Sequence, residues 1–333
     1  MQKIRLDLLL KLLKQYKLIL LFICLTHSFS QEVKEKIIPL SGIITDPNQE
    51  ISGLDWYKNN LVLLPENLNG FVFIIPKEKI IKSIEIKSPI PISPEVNIFK
   101  TPNYSKTIKG FEGFESIAFN NDKFFVTIEA KDDNGMKSYL AWGKINSNSL
   151  NMTIHKDSLK EIKTPIQVKN MTYESALIYK KNLILLYEAN GRNLQSKITQ
   201  PNVSFLNHSI SSIEFPNIEY RITDVTRLDI NNKFWAINYF WPGDKKRLKP
   251  SKDLILTKHI EGATHKQSEI VERLIQFKIE EDKIILTNKK PIQLKLDKKS
   301  RNWEGIVQLE DKGFLIATDK YPKMILAFLE YEL

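Results

Sequence analysis

Short apolar runs alternate with polar turns along most of the chain after residue 30. The runs are rich in Ile, Leu, Phe and Thr, and almost no stretch keeps the 3.6-residue period of an amphipathic helix. Turns bearing Asn, Asp and Lys separate the runs. Short apolar runs bounded by such turns are typical of β-strands, so the pattern predicts an all-β fold.

One two-strand pattern occurs five times. Each copy has a short first strand, a polar turn and an apolar second strand, and the second strands read LVLLP, FFVTI, LILLY, FWAIN and FLIAT. The residues that open the first strands are Ser52, Glu115, Glu174, Asp224 and Glu304. The residues that close the second strands are Glu66, Glu129, Glu188, Asn238 and Asp319. The offset between them is 14 residues in four copies and 15 in the fifth, which predicts a repeat architecture, a β-propeller, in which the copies pack around one axis.

The five copies favour five blades. Six blades remain possible if the gap between Asp224 and Glu304 hides a degenerate copy, although we interpret residues 242–269 as an inserted loop. The third and fourth strands of the first blade are predicted at residues 71–75 and 80–86. The last copy has room for one further strand, so its fourth strand is expected from the N-terminal part, around residues 36–44. Such pairing of the N-terminal and C-terminal strands closes the ring without a free edge.

The first 30 residues have the features of a signal peptide. Five basic residues precede or enter a short apolar core at residues 18–25, and Ser28 and Ser30 are small residues before Gln31. The core is shorter than the roughly 20 residues that span a bilayer. We therefore predict export to the periplasm or the extracellular space, with residues 31–333 forming a single propeller domain without a membrane span. An uncleaved anchor or a lipoprotein is less favoured, because bulky Ile23 precedes Cys24.

The composition argues against cysteine-based sites and against nucleic-acid binding. Cys24 is the only cysteine, so a processed chain has no disulfide, no thiol nucleophile and no thiolate metal site. The formal charge of +10 comes from lysines scattered through turns and strand edges, with no basic stripe interleaved with aromatic residues. Nucleic-acid binding is therefore not expected, and the predicted protein is a monomer.

The acids of the repeat are expected to meet at one mouth of the central channel. Eight carboxylates crowded there repel each other and need a counter-charge. One source is Ca²⁺, which takes oxygen ligands, and the candidate ligands are Ser52, Glu115, Glu174, Asp224 and Glu304. The other source is arginine, and the candidates for binding an anionic small molecule are Arg192, Arg221 and Arg301, with Glu66 and Asp319 beside them. Alternatively, these acids cap turns or form hydrogen bonds between blades.

The motifs also carry a family resemblance. The segments GFEGFESIAF, YESALIY, LLYEANGRN, YRITDVTRLD, FWAINYFWPGD, RNWEGIVQL and GFLIATDKYP resemble a family of exported bacterial β-propellers, which are similar to the phytase-associated esterase-like domain. This resemblance implies a fold more than an activity.

A fainter resemblance is to the calcium-activated nucleotidases, or apyrase propellers. That family is five-bladed and holds one central Ca²⁺ through Ser and Glu residues that open the inner strands. Comparable places here are occupied by Ser52, Glu115, Glu174 and Glu304, whereas Asp224 stands where that family has serine. The nucleotide-contacting segments have no counterpart here, so this resemblance implies the metal site alone.

Two functions follow as hypotheses. The first is an exported hydrolase that acts on a phosphate or carboxylate ester, with Glu129 or Glu188 as the general base. The second is a non-catalytic propeller that binds a ligand or a protein partner and holds a structural cation. The absence of a nucleophile motif and of histidines at metal-ligand spacing favours the second.

Overall fold

The computed structural model describes residues 32–332. The predicted signal peptide, with Cys24, and Gln31 lie outside the described residues. Within 32–332, no helix is long and apolar enough to cross a membrane. Strands dominate this part of the chain, as the alternation of apolar runs and turns predicts.

The strands of the described part form twenty-one elements. The first eleven are β1 (Lys36–Ile38), β2 (Ile51–Tyr57), β3 (Asn60–Pro65), β4 (Phe71–Pro76), β5 (Glu95–Lys100), β6 (Phe111–Asn120), β7 (Lys123–Asp132), β8 (Gly135–Ile145), β9 (Met152–Ile162), β10 (Tyr173–Tyr179) and β11 (Asn182–Tyr187). The others are β12 (Ile198–Ser204), β13 (Ile210–Phe215), β14 (Arg221–Val225), β15 (Lys233–Phe240), β16 (Val271–Glu280), β17 (Lys283–Leu286), β18 (Ile292–Gln293), β19 (Trp303–Leu309), β20 (Gly313–Thr318) and β21 (Leu326–Glu330). The short α-helices are α1 (Lys77–Glu85), α2 (Tyr104–Thr107) and α3 (Lys245–Leu248).

These strands pair in five antiparallel groups that follow one another along the chain. The groups are β2-β3-β4-β5, β6-β7-β8-β9, β10-β11-β12-β13, β14-β15-β16-β17 and β19-β20-β21-β1, with β18 added to β16. Parallel contacts join the outer strands β5 and β9, and likewise β13 and β17. Each group therefore matches one copy of the sequence repeat.

The first strands of the groups form a ring. β2 contacts β6, β6 contacts β10, β10 contacts β14, β14 contacts β19, and β19 contacts β2. Five apolar clusters fill the spaces between successive groups. Along β3, Leu61 and Leu63 pack into one cluster, whereas Val62 and Leu64 pack into the cluster on the other side. Because alternate strand residues point to opposite faces, a run that is apolar at every position marks a strand buried on both sides.

The two ends of the described chain meet in the last group. Lys36, Ile37 and Ile38 of β1 pair with Phe328, Ala327 and Leu326 of β21. Beside this pairing, Glu35 forms an ion pair with buried Arg301 at 2.7 Å. The structure therefore confirms the predicted pairing of N-terminal and C-terminal strands.

One predicted strand is wrong. Residues 80–86 were expected to form the fourth strand of the first blade, but residues 77–85 form helix α1, and β5 supplies the fourth strand instead. Ile80 is buried, and Ile81 and Ile84 pack against the same cluster, a spacing that suits one helix face. The expected inserted loop at 242–269 does lack strands.

Truncation of Ile38 should weaken the closure between the ends of the chain. Ile38 is 2% exposed and packs in the cluster between the first and last groups, whereas its neighbour Ile37 is 49% exposed. We expect Ile38→Ala to lower the free energy of unfolding by about 2–4 kcal/mol, because it leaves a cavity in a packed core. Urea unfolding followed by circular dichroism measures this change. Ile37→Ala is the matched control, and an equal loss in both variants would contradict the role of β1 as an integral strand.

Candidate functional site

A β-bulge interrupts the pairing at the start of every first strand. The register shifts between Ile51 and Gly53, between Phe114 and Ser116, between Tyr173 and Ser175, between Ile222 and Val225, and between Trp303 and Gly305. The residues at these shifts include the five predicted from the repeat, namely Ser52, Glu115, Glu174, Asp224 and Glu304. A bulge leaves one residue out of the ladder and re-aims its side chain, so the same local geometry recurs at all five positions.

Carboxyl groups from several strands converge at this end of the ring. The pKa of Glu115 is raised well above its ordinary value, chiefly by burial, and also by the charges of Glu129, Glu66, Glu174 and Glu304. Glu304 is influenced in the same way by Asp319 and Glu174. We call this set the acidic mouth, and its members are Glu66, Glu115, Glu129, Glu174, Glu188, Glu304 and Asp319.

Arg221 is the central cation of the acidic mouth. Its Nε forms an ion pair with fully buried Glu188, and one terminal nitrogen lies 3.4 Å from Glu174 and 3.5 Å from Glu304. Its other terminal nitrogen donates to the side-chain oxygen of Asn302 at 3.1 Å. Burial alone would lower the pKa of Arg221, but the surrounding carboxylates raise it above its ordinary value. The guanidinium is therefore charged and fully engaged by the protein itself.

Other carboxyls of the mouth are neutralised by protons. The pKa of Glu66 is raised to about 9, chiefly by burial and also by a hydrogen bond to Glu50. Burial likewise raises the pKa of Glu129 to about 8, together with a hydrogen bond to Glu112. Glu66 and Glu50 thus share one proton, because two adjacent carboxyls do not both ionise near neutral pH. The hydroxyl of Thr172 also donates to Glu129 at 3.0 Å.

Glu174 has an intermediate acidity. Burial raises its pKa to about 7, although Arg221 acts in the opposite direction. The charge of Glu174 is also among the causes that raise the pKa of Glu129. Two interacting carboxyls with pKa values of about 7 and 8 are a pair in which one ionises before the other.

Three predicted residues are engaged in structural hydrogen bonds. The hydroxyl of Ser52 faces the carbonyl of Leu64 at 3.5 Å. Asp224 accepts a hydrogen bond from the backbone N–H of Ile306 at 2.8 Å and so links β14 to β19. The amide of Asn238 donates to the carbonyls of Glu219 and Arg221 and accepts from Arg273 Nε at 2.8 Å.

Two predicted arginines point elsewhere. Arg301 is 1% exposed and lies between Glu272 and Glu35, each at 2.7 Å, with its guanidinium over the ring of Trp303. Arg192 is exposed, and its backbone N–H donates to Glu219. Arg221 is thus the one of the three predicted arginines that the structure brings among the acids of the mouth.

Several residues at the site do not belong to the repeated sequence pattern and were not predicted. They are Glu50, Glu112, Asn302, Lys320 and the Asp244–Arg247 ion pair. Glu50 and Glu112 each precede a bulge by two or three residues, which is a spacing that a search for acids near the repeat could have found. Asn302, which donates to Asp319 at 2.8 Å, occurs in one copy alone.

Titration of the acidic mouth should make folding stability fall as the pH rises. A carboxyl whose pKa is raised in the folded protein binds protons on folding and so stabilises the fold at low pH. For Glu66, this contribution to the free energy of unfolding is full below the unfolded pKa of 4.5 and is lost as the pH rises to about 9. We expect Glu66→Gln to make this decline shallower, because glutamine keeps a neutral donor to Glu50 and cannot ionise. Urea unfolding at pH 5, 7 and 9 measures it. Glu161→Gln, at a half-exposed side chain, is the control, and an unchanged decline in Glu66→Gln would contradict the raised pKa.

Comparisons with known proteins concern the fold. No protein-family model matches the chain, and no curated protein matches it. A solved structure from the GH130 family of mannoside phosphorylases, which contains glycoside hydrolases that target β-1,2 mannosidic linkages in Candida mannan, has a TM-score of 0.50 at 11% identity and covers 90% of this chain and 93% of its own. A GH43 endo-arabinanase from Bacillus licheniformis has a TM-score of 0.47 at 10% identity, covering 89% and 96%. Neither family suggested by the sequence motifs is matched, and the fold is all-β and propeller-like.

Proposed function

We propose that the protein is an exported glycoside hydrolase whose active site is the acidic mouth. One observation carries the proposal: Glu129 and Glu174 belong to one set of buried carboxyls but have different partners, since Thr172 donates a hydrogen bond to Glu129 and Arg221 lies 3.4 Å from Glu174. A pair of carboxyls whose environments separate their pKa values is the usual equipment for acid–base hydrolysis of a glycosidic bond. The class of bond is suggested by the glycoside hydrolases of similar fold.

The two carboxyls would have complementary roles. Near neutral pH, Glu129 holds its proton and would donate it to the leaving oxygen as the bond from the anomeric carbon breaks. Glu174 is partly ionised and would accept a proton from the attacking water as the new C–O bond forms. Arg221 and Glu188 would act as positioning residues, because Glu188 is fully buried and holds the guanidinium that contacts Glu174. The general base predicted at Glu188 is thereby replaced in this proposal by Glu174.

Ester hydrolysis, which the sequence favours, has less support at this site. A phosphate ester needs cationic groups that face the substrate, and Arg221 is engaged by Glu174, Glu188 and Glu304. Carboxyls that keep their protons offer a phosphate no positive charge, whereas they suit an uncharged substrate rich in hydroxyl groups. Protonated carboxyls donate hydrogen bonds to such hydroxyls, and carboxylates accept hydrogen bonds from them.

The predicted calcium ion stays a separate proposal. Carboxylate oxygens are the ligands that Ca²⁺ prefers, and carboxyls outnumber cations at the mouth. However, no three acidic or histidine side chains within 32–332 are arranged to hold a metal ion, and Arg221 stands between Glu174 and Glu304. The residues as placed do not fit a metal, so no step above uses one. A non-catalytic propeller that binds a ligand or a protein partner is the second candidate function, and a structural cation in it would require these side chains to move.

The number of blades and the export of the protein are further parts of the proposal. We propose that the five strand groups are five blades, supported by the ring of first strands and the five apolar clusters between groups. Export rests on the predicted signal peptide.

Glu129→Gln tests the proton donor. We expect hydrolysis of oligosaccharides to fall about 10²–10⁴-fold, because the leaving oxygen loses its acid. The rate of hydrolysis of dinitrophenyl glycosides should fall much less, since their leaving group needs no proton. The wild-type rate should decline above about pH 8 and below about pH 7, where Glu129 loses and Glu174 gains a proton. Steady-state kinetics on both substrate types, with Glu161→Gln as control, measure this. Equal losses on both, or a wild type that cleaves no glycoside, would refute the assignment.

Calcium should be tested by thermal melting. A ligand that binds only the folded state raises its stability, so a bound ion would raise the melting temperature in Ca²⁺ and lower it in EDTA. Under the second candidate function, we expect a rise of several degrees that Glu115→Gln removes, because Glu115 lies among the most carboxyl groups. Identical melting curves in Ca²⁺ and EDTA would contradict a bound cation.

A further inference from the structure

Two exposed aromatic side chains within residues 32–332 follow second strands of the repeat. Among the large apolar side chains that are exposed there, the aromatic ones are Trp241, at 51%, and Tyr321, at 60%. Trp241 follows β15, three residues after Asn238, and Tyr321 follows β20, two residues after Asp319. Both therefore stand at the end of the fold that carries the acidic mouth, in loops of neighbouring strand groups.

Trp241 is half-exposed and packs against the backbone of its own loop. Its indole lies over Gly243, where indole atoms occupy the space at 2.2 Å from the position that a Cβ would take. Its carbonyl accepts a hydrogen bond from the N–H of Asp244 at 2.9 Å. Asp244 and its partner Arg247 both influence the pKa of Glu174, which places this loop beside the mouth. The indole is thus fixed against backbone on one side and half-exposed overall.

Tyr321 is connected through its backbone to another carboxyl of the mouth, Asp319. Its N–H donates to Asp319 at 2.6 Å, and its carbonyl accepts from the N–H of Asn302 at 3.1 Å. Asn302 in turn contacts Arg221 through its side-chain oxygen. The tyrosine backbone is therefore rigidly connected to the central cation of the mouth.

This combination of groups suits a sugar. One face of a pyranose ring presents C–H bonds and packs flat on an aromatic ring, which removes apolar surface from water, while its edge presents hydroxyls. Carboxyls between two aromatic surfaces can bind those hydroxyls. Isolated exposed apolar residues are common, but these two aromatic ones follow the second strands of neighbouring groups at the end that carries the acidic mouth.

We propose that Trp241 and Tyr321 are the stacking surfaces of an oligosaccharide-binding cleft across the acidic mouth. The inference deepens the proposed function, because it names the substrate as a chain of several sugar units rather than a single glycoside. Sugar rings on either side of the cleaved bond would lie on the two aromatic residues.

Binding measured without catalysis separates this inference from the proposed activity. In the Glu129→Gln background, we would titrate manno-, arabino-, xylo- and cello-oligosaccharides of two to six units and follow tryptophan fluorescence and calorimetric heat. We expect Trp241→Ala and Tyr321→Ala each to weaken binding at least about tenfold, as truncation of a central aromatic contact does. Trp241→Phe should retain most of the affinity. Leu206→Ala, at a side chain 92% exposed in the turn between β12 and β13, should change nothing.

The outcomes are distinct. Oligosaccharide binding that depends on both aromatic residues supports the cleft, even if the wild type hydrolyses none of these sugars and the proposed activity fails. Absence of binding across the panel, or equal affinity in the alanine variants with unchanged melting curves, overturns the cleft. Binding of tetramethylammonium with no sugar binding also overturns it, because the aromatic residues would then serve a cation.

Discussion

The β-bulge at the start of each first strand is the constraint on which the acidic mouth depends. A regular ladder would send successive side chains alternately into the apolar clusters on the two sides, where a carboxyl has no partner. The bulge removes one residue from that alternation without disturbing the residues that follow. Leu54 and Ile117 can therefore pack in the core although Glu115 and its equivalents lie a few positions away. The polar site and the core are thus compatible within one short strand.

Electrostatics at the mouth is balanced in two different ways. On the side of Glu174 and Glu304, the guanidinium of Arg221 supplies a fixed positive charge. On the other side, Glu66 forms a hydrogen bond with Glu50, Glu129 forms one with Glu112, and both Glu66 and Glu129 have raised pKa values. The first arrangement keeps Glu174 partly ionised near neutral pH, and the second keeps an acid protonated there. Under the proposed function, the first arrangement supplies the proton acceptor and the second supplies the proton donor.

The repeat spacing allows much of this to be predicted. A hairpin of constant length places its two ends together, so an offset of 14 residues identifies which acids converge and which strand starts are equivalent. Contacts that depend on one side chain in one copy escape such reasoning, as Asn302 shows by bridging Arg221 and Asp319. Helix α1 was missed because its isoleucines fit a strand of a repeat as readily as a helix face. The positions of the arginines near the motif also did not show which guanidinium lies in the acidic mouth. Arg301 forms an ion pair with Glu272 instead.

The pairing of β1 with β21 has a consequence for the order in which the molecule assembles. The strand that completes the last group is the earliest one in the described chain, so a nascent polypeptide cannot finish its ring before its final strands have left the ribosome. Joining segments so far apart adds little entropy cost, since each doubling of a loop adds only about 0.6 kcal/mol. The delay matters more than the cost, because the edge of β1 and the side chain of Ile38 stay uncovered until β21 is available. A chain shortened at its C-terminus would leave both permanently open to aggregation and to proteases.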